Sequence, residues 1–228
     1  MSDVEHVVIN GGSSVETKDF LASYKGISIS ESDKGISDAF NKGLKLSSRE
    51  AILFLNSGDL LIDQNYIKDA VSVLEKLPEI DFIHADIFYK DSIAGKIHLQ
   101  PRGTFPSMPV MHPTLIVRRR VFEKVGGFDL NFKSAMDLDF VMRMFLVGCK
   151  GHYIPRPVVE MDGCGISSSK PYLGFKEKIL AVHKNKLWSI CTILKLLKTF
   201  LMLNTRLTIL FLGGSKVISW YRKRGYSN

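Results

Sequence analysis

Short apolar runs alternate with amphipathic segments along the first two thirds of the chain. The apolar runs have the length of buried strands and cover residues 4–9, 27–30, 51–55, 81–85, 87–89, 114–117 and 153–155. Between them, apolar residues recur at helical spacing over residues 15–24, 36–46, 65–77, 120–125 and 134–148. This alternation is typical of an α/β fold with a mostly parallel sheet flanked by helices. We therefore predict one α/β domain over residues 1–180, with irregular chain over residues 95–113 and a polar loop over residues 163–170.

The remaining residues, 181–228, form a basic and apolar tail. Its most hydrophobic stretch, residues 187–212, contains Lys195, Lys198 and Arg206. It therefore lacks the run of about 20 mostly uncharged residues that a membrane-spanning helix needs. At about 100° per residue the three cations fall within an arc of about 80°, which predicts an amphipathic helix lying in a membrane interface. A helix packed on the α/β domain fits the same pattern, and this alternative stays open.

The charge of the chain follows the same division. A formal net charge of +8 and a pI near 9.3 suit nucleic acid, an anionic membrane surface or phosphorylated substrates as partners. No Asp or Glu occurs beyond Leu180, and the cations found there are Lys184, Lys186, Lys195, Lys198, Arg206, Lys216, Arg222, Lys223 and Arg224. Because this charge lies in an apolar tail without an aromatic-basic surface pattern, we expect a membrane surface as partner and no nucleic acid.

Cysteine usage and the first residues indicate the compartment. Cys149, Cys164 and Cys191 are an odd number without paired spacing, which argues against a disulfide framework or a zinc site. The segment MSDVEHVVIN has no basic stretch ahead of a long apolar run, so it does not resemble a secretory signal. We therefore expect a cytoplasmic protein that lies peripherally on the inner face of the cell membrane.

Polar residues that directly follow apolar runs are the first candidates for a ligand site. Ligands of open α/β sheets bind beyond the carboxyl ends of the strands, which directs attention to residues 10–13, 56–59 and 134–139. The run ILFL delivers Asp59 into a loop, where its carboxylate could hold a divalent cation that neutralises a diphosphate. A turn in which Asn56 and Asp59 cap the backbone is the alternative.

Six motifs in a consistent order resemble the family 2 glycosyltransferases of GT-A type, in particular those of colanic-acid and capsule biosynthesis. The motifs are VVINGGSS, ESDKGISDAFNKGL, FLNSGD, MHPTLIVRR, SAMDLDFVMRM and GCGISSS, and they span residues 4–170. The resemblance implies a GT-A fold and transfer of a sugar from a UDP- or GDP-sugar, with inversion and with Mg²⁺ or Mn²⁺. The implied acceptor is a growing surface polysaccharide or a lipid-linked oligosaccharide.

The resemblance also implies which residues hold the donor. The strand-and-loop motif brings Asn10 to the nucleotide base, and Asp33 and Lys34 lie near the nucleotide. Asp38 and Asn41 lie on one face of the following helix and shape the same wall of the site.

The remaining implied roles fall on Asp59, His112 and Asp137. Asp59 holds the metal, and Asp137 is the general base, because an inverting transfer needs a carboxylate that takes the proton of the acceptor hydroxyl. Ser134 and Asp137 also have the spacing of a capping box, which is a rival explanation, while Asp139 is interpreted as a structural neighbour. His112 could contact the donor phosphates or the acceptor, or could be a structural histidine.

Three departures from the family pattern support a competing hypothesis. Family members begin with one more strand and helix, and that strand lies inside the sheet. Without it, we expect either two exposed strand edges or direct pairing of the strands on either side. Asn10 stands where the family prefers Asp, and Gly58 replaces a frequent acid. Either the start of the sequence is mis-assigned or truncated, or the protein is a degenerate relative. The second alternative gives the competing hypothesis, a catalytically inactive protein of this fold that serves as a binding or scaffold protein.

Overall fold

Eight strands and seven α-helices make up the described part of the chain. The computed structural model describes residues 4–12, 14–91, 95–100, 105–163, 165 and 169–211. The strands are β1 (Val7–Asn10), β2 (Ile27–Ser30), β3 (Ala51–Leu53), β4 (Leu60–Leu61), β5 (Phe82–Asp91), β6 (Gly95–Leu99), β7 (Ile116–Arg118) and β8 (Gly151–Asp162). The helices are α1 (Val15–Ala22), α2 (Ile36–Leu46), α3 (Tyr66–Lys76), α4 (Arg119–Val125), α5 (Met136–Leu146), α6 (Pro171–Lys184) and α7 (Ile190–Phe211). A 3-10 turn covers His112–Thr114.

The predicted α/β class is confirmed, but the large sheet is mixed rather than mostly parallel. Its strand order is β3-β7-β5-β8-β4, with β6 also paired to β5. The central pair β5–β8 is parallel, whereas β3–β7, β5–β7, β4–β8 and β5–β6 are antiparallel. β6 lies within the stretch predicted to be irregular. A short connection such as the one between β5 and β6 can join only antiparallel strands, so the chain returns as a hairpin.

The strands β1 and β2 form a separate parallel sheet. Among the described residues β1 pairs only with β2, and β3 pairs only with β7. Within the described residues, β1 and β3 therefore each have an unpaired edge, which is the first of the two expected outcomes. Helix α2 joins the two sheets, because a Cβ atom placed on Gly43 would lie 3.6 Å from Ile9 in β1 and 4.0 Å from Phe54 after β3.

The large sheet separates two hydrophobic cores. On one side, Tyr66, Ala70 and Leu74 of α3 pack against a cluster that includes Ile83 and Ile87. The larger core, on the other side, contains Phe40 of α2, Phe82 and Val117 from the sheet, and buried residues of α4 and α5. The alternation of Phe82 and Ile83 between the cores follows from the two-residue period of strand β5.

Helix α6 was not predicted, and it packs into the larger core. Ala181 and Val182 are fully buried there. The division of the chain into residues 1–180 and 181–228 stays a prediction, and α6 crosses it.

Helix α7 lies within the apolar stretch of the tail and presents two different faces. On one face Leu196 is buried and the Lys195 ammonium donates to the backbone oxygen of Phe105 at 3.2 Å. An apolar ridge lies on the opposite face, where the exposed residues are Ile190, Leu194, Leu197 and Leu201. None of the described helices combines the length and apolarity needed to cross a bilayer.

Candidate active site

Asp59 lies in a closed turn that follows β3. Its Oδ2 accepts the backbone N–H of Asn56 at 3.0 Å, and its own N–H donates to the Asn56 oxygen at 3.1 Å. The turn predicted as the alternative to a metal ligand is thus present. Burial raises the pKa of the Asp59 carboxyl, while hydrogen bonds from Asn56 and the backbone of Asp162, and the field of His112, oppose the shift. A partly desolvated carboxylate of this kind would be stabilised by a cation.

Asp162 is a second acid beside this turn, and no motif in the sequence predicts it. Strand β4 pairs with the end of β8, which brings Asp162 opposite Gly58. A Cβ on Gly58 would lie 3.3 Å from an Asp162 carboxylate oxygen, and the φ of +96° at Gly58 also favours glycine. Within the described ranges, no group of three or more acidic, His or Cys residues could hold a metal.

These residues fit the cation that the family resemblance implies. Mg²⁺ in phosphate-transfer sites is bound by one or two carboxylates together with substrate phosphates, rather than by a complete protein cage. Asp59 and Asp162 supply two such carboxylates at one sheet edge. The remaining ligands would come from the donor diphosphate.

His112 is held in place by its neighbour Thr114. The fully buried Thr114 hydroxyl contacts the Ala85 nitrogen at 2.9 Å and the Met111 oxygen at 2.8 Å, which ties the 3-10 turn to β5. The His112 ring stacks on Phe40 of α2 at a centroid distance of 5.6 Å. The structure therefore fixes the position of the imidazole before any ligand binds.

The His112 ring has an unused polar atom. Its Nε2 is buried and has no hydrogen-bond partner among the described residues. Burial lowers the pKa of His112, while the carboxylates of Asp137 and Asp59 oppose this shift. The imidazole is thus within electrostatic reach of both candidate acids and can donate a hydrogen bond to an incoming anion.

Asp137 lies in the first turn of α5. Its Oδ1 accepts the N–H of Leu138 at 2.8 Å. The rival explanation, a capping box begun by Ser134, is not realised: Ala135 is the N-cap residue and has no side-chain cap bond. The Ser134 hydroxyl is buried and has no partner in the described part of the chain.

Asp139 has the structural role that was predicted for it. Its fully buried carboxylate binds Arg143 at 2.9 Å, Lys184 at 3.1 Å and Asn185 at 3.0 Å. These contacts fasten α5 to the end of α6. The two acids of the first turn therefore differ, since Asp139 is fully paired inside the protein and Asp137 is only half-buried.

Two residues of α6 reach the same region and were missed by sequence reasoning. Glu177 binds the backbone just before α5. Burial lowers the pKa of the neighbouring Lys178, and the field of the Asp137 carboxylate opposes that shift. No local pattern distinguishes these residues from the other charges of the C-terminal region, so only the packing of α6 shows them.

Asn10 and Asp33 come together at the carboxyl end of the small sheet. The buried Asn10 side chain donates to the Ser30 hydroxyl at 2.8 Å. Asp33 accepts the N–H of Gly35 at 2.9 Å, and its carboxylate lies so close to Gly11 that a Cβ there would be 2.1 Å from Oδ2. Glycine is therefore required at position 11 for Asp33 to take this place.

The predicted residues of α2 are largely engaged with the protein. Asp38 accepts the Lys34 N–H at 3.0 Å, which ties the first turn of α2 to the chain that precedes it, and the Lys34 side chain is exposed. Both ends of the Asn41 amide bind the backbone of Phe128, at 2.7 and 2.8 Å. The roles of Lys34, Asp38 and Asn41 in donor binding stay predictions, since their described contacts are with the fold itself.

The structure thus brings the predicted residues into two groups that α2 connects. Asp59, His112 and Asp137 form the first group, and Asn10 and Asp33 form the second. Helix α2 contacts the first group through the stacking of Phe40 on His112. A phosphate-bearing ligand would meet two carboxylates and a buried imidazole in the first group.

Comparison with known proteins agrees with this geometry. The profile described as Glycosyl transferase family 2 matches residues 1–137. An uncharacterised glycosyltransferase of Mycobacterium tuberculosis H37Rv is 29% identical over 175 residues, covering 73% of this chain and 66% of the relative. A PGL/p-HBAD biosynthesis glycosyltransferase of Mycobacterium bovis BCG is 26% identical over 152 residues, covering 63% of this chain and 59% of the relative. The chain spans less than two thirds of the length of these relatives.

Solved structures share the fold. Residues 1–349 of TarS from S. aureus, in complex with UDP-GlcNAc, superpose with a TM-score of 0.61 at 19% identity, covering 82% of this chain and 57% of TarS 1–349. The mannosyltransferase PcManGT from Pyrobaculum calidifontis, in complex with GDP-Man and Mn²⁺, superposes with a TM-score of 0.52 at 14% identity, covering 97% of this chain and 75% of PcManGT. The GT-A fold predicted from the motifs is thereby confirmed.

Proposed function

This chain belongs to glycosyl transferase family 2, and from this premise we propose that it transfers a sugar from a nucleotide-diphospho-sugar to a saccharide or lipid-linked acceptor. The observation that carries the proposal is the meeting of Asp59, His112 and Asp137, which come from three separate segments of the chain. TarS and PcManGT, which share the fold, were solved with UDP-GlcNAc and with GDP-Man and Mn²⁺. We propose a donor of this class, and the narrower likeness to colanic-acid and capsule enzymes stays a prediction.

In the proposed mechanism, one end of the site binds the diphosphate and the other end binds the nucleotide. Asp59, assisted by Asp162, would hold Mg²⁺ or Mn²⁺, and the bound cation would neutralise the charge of the diphosphate leaving group. The buried Nε2 of His112 donates to a phosphate oxygen, which gives this orphaned atom a partner. Asp33 and Asn10 contact the nucleotide at the end of the small sheet.

Asp137 acts as the general base on the acceptor side. It takes the proton of the acceptor hydroxyl as that oxygen attacks the anomeric carbon, while the bond from this carbon to the diphosphate oxygen breaks. One displacement of this kind inverts the anomeric configuration and releases a nucleoside diphosphate.

Release of nucleoside diphosphate tests this proposal without knowledge of the acceptor. UDP-GlcNAc, UDP-glucose and GDP-mannose are incubated with the full chain and Mn²⁺, with water or a bacterial lipid extract as acceptor. We expect turnover of at least one donor, and a loss of about 10²- to 10⁴-fold in Asp137→Asn. Asp19→Asn, an exposed acid on α1, is the matched control and should keep wild-type turnover. Equal turnover in both variants would contradict the assignment of the base.

The contact of Asn10 favours a second candidate, the inactive scaffold. The Asn10 side chain binds the Ser30 hydroxyl at a position where the family prefers an acid. A scaffold would bind a donor or an acceptor without consuming either. Donor binding by calorimetry together with no release of nucleoside diphosphate would favour this candidate.

We also propose that α7 attaches the protein to the inner face of the cytoplasmic membrane. Support comes from the exposed apolar ridge at Ile190, Leu194, Leu197 and Leu201, and from the neighbouring exposed Lys198. Each Lys or Arg near an anionic bilayer contributes about 1 kcal/mol. The opposite face of α7 packs on the domain, so the two sequence-based alternatives are compatible. The basic residues beyond position 211 lie outside the described residues.

Vesicle flotation tests the attachment. The full chain should float with phosphatidylglycerol vesicles, and Leu194→Glu combined with Leu201→Glu should abolish flotation, because both side chains are more than half exposed and would meet the bilayer. Leu130→Glu, at an exposed position away from α7, is the control. Undiminished flotation of the double variant would exclude the ridge as the attachment.

A further inference from the structure

Glu177, in the middle of α6, binds the backbone at the start of α5. Its carboxylate accepts hydrogen bonds from the N–H groups of Lys133, Ser134 and Ala135 at 2.7 to 3.1 Å. The residue is only 5% exposed. Three consecutive backbone donors therefore converge on one buried anion.

These N–H groups belong to the three residues that lead into α5, and the last of the three, Ala135, is its N-cap residue. The first N–H groups of a helix have no intrahelical acceptor, and a side chain at the N-cap position usually supplies one. Ala135 holds that position in α5 and has no such side chain. Glu177, 42 residues further along the chain, instead binds the N–H of Ala135 and the N–H groups of the two residues before it, and its negative charge near the start of α5 also suits the helix dipole.

We propose that Glu177 is a positioning residue for Asp137, which lies in the helical turn directly after the backbone segment that Glu177 binds. The inference rests on the proposed function, in which Asp137 is the base. A side chain next to this segment in sequence would hold it without help from another helix, whereas Glu177 holds it only when α6 is docked. The orientation of Asp137 therefore depends on a helix that contributes no motif to the family resemblance.

Further contacts of α6 hold the same turn from both sides. Before Asp137, α6 comes so close that a Cβ on Gly174 would lie 3.3 Å from the Ser134 hydroxyl. After Asp137, the carboxylate of Asp139 binds Lys184 at the end of α6 at 3.1 Å. Asp137 thus lies between two attachments to α6, and Glu177 is the attachment that bears directly on the backbone.

The test compares Glu177→Gln with the matched control Glu75→Gln, at an exposed position of α3. Gln keeps the size of Glu and one acceptor oxygen, but its NH2 group cannot accept hydrogen bonds from the backbone N–H groups that it would face. Hydrogen exchange should become at least about tenfold faster at residues 133–138 in Glu177→Gln, while the core strands keep their protection.

The kcat should fall by about 10- to 100-fold, because a misplaced catalytic group loses effective concentration. The donor Kd and the KM for donor should change by less than about twofold, since Glu177 does not touch the donor. Glu177→Asp, which restores the charge one methylene short, should recover part of the kcat.

Each outcome decides the inference. Unchanged exchange at residues 133–138 would overturn it, and so would a lower melting temperature with undiminished kcat per folded molecule, which indicates a purely structural role. A wild-type chain that consumes no donor would instead refute the proposed function, and the exchange measurement would then decide only whether Glu177 holds the backbone of residues 133–135.

Discussion

Replacing Asp139 by Asn tests whether the two acids of α5 have the separate roles that their surroundings indicate. The Asp139 carboxylate is fully buried and is shared by Arg143, Lys184 and Asn185. Breaking a buried ion pair by removing one partner costs about 3 to 5 kcal/mol. Because Asn keeps one acceptor oxygen and the Lys184 side chain is 37% exposed, we expect a loss near the lower end, about 3 kcal/mol.

Urea unfolding measures this loss directly. With a slope of about 2 kcal/mol per molar urea, the midpoint of Asp139→Asn should fall by about 1.5 M. Asp137 has only one described hydrogen bond, to Leu138, so Asp137→Asn should change the free energy of unfolding by less than about 0.5 kcal/mol.

Turnover should show the opposite order. Asp139→Asn should retain most of its nucleoside diphosphate release per folded molecule, whereas Asp137→Asn should lose it. A wild-type urea midpoint for Asp139→Asn together with lost turnover would refute this reasoning, and it would move the base two positions along α5.

Three further predictions concern other parts of the molecule. Calorimetry should detect binding of UDP- or GDP-sugars that requires Mg²⁺ or Mn²⁺ and that is absent in Asp59→Ala; equal affinity in that variant would move the metal ligand elsewhere. Burial lowers the pKa of His84 to about 4, below the 6.5 of an unfolded histidine, although Asp86 opposes the shift. The unfolded chain therefore takes up this proton first, so stability should fall by about 2 kcal/mol as pH drops from 6.5 to 4. His84→Phe should flatten this part of a plot of melting temperature against pH, and an unchanged slope would show that other groups cause it. Asn41→Leu should lower the free energy of unfolding by about 2 kcal/mol, because it removes two hydrogen bonds to the Phe128 backbone; a wild-type urea midpoint would contradict this.

Local patterns predicted the elements on which most of the site is built. The apolar spacing of residues 36–46 matches the bounds of α2. The apolar runs ahead of Asn10 and Asp59 form strands β1 and β3. These strands bring the two residues to the ends of their sheets. Such features depend on neighbours along the chain, which is why a sequence pattern can show them.

Features that depend on distant segments were not predicted. β8 runs from Gly151 to Asp162, although only residues 153–155 were expected to be extended, because the length of a strand depends on its pairing with β5. The proximity of Asp162 to Asp59 depends on the register of β4 with β8. Glu177 has the sequence context of an ordinary charged residue, and its burial is visible only when α6 packs against α5.

The central claim is that Asp59, His112 and Asp137 surround one donor site, and X-ray diffraction at the manganese edge tests it most directly. Crystals of the full chain would be grown with Mn²⁺ and the nucleotide-sugar that binds most tightly. We predict an anomalous peak about 2 Å from an Asp59 carboxylate oxygen. We also predict a diphosphate within hydrogen-bond distance of His112 Nε2, and the anomeric carbon on the side of Asp137. A bound nucleotide with its metal away from Asp59, or its diphosphate away from His112, would contradict the account.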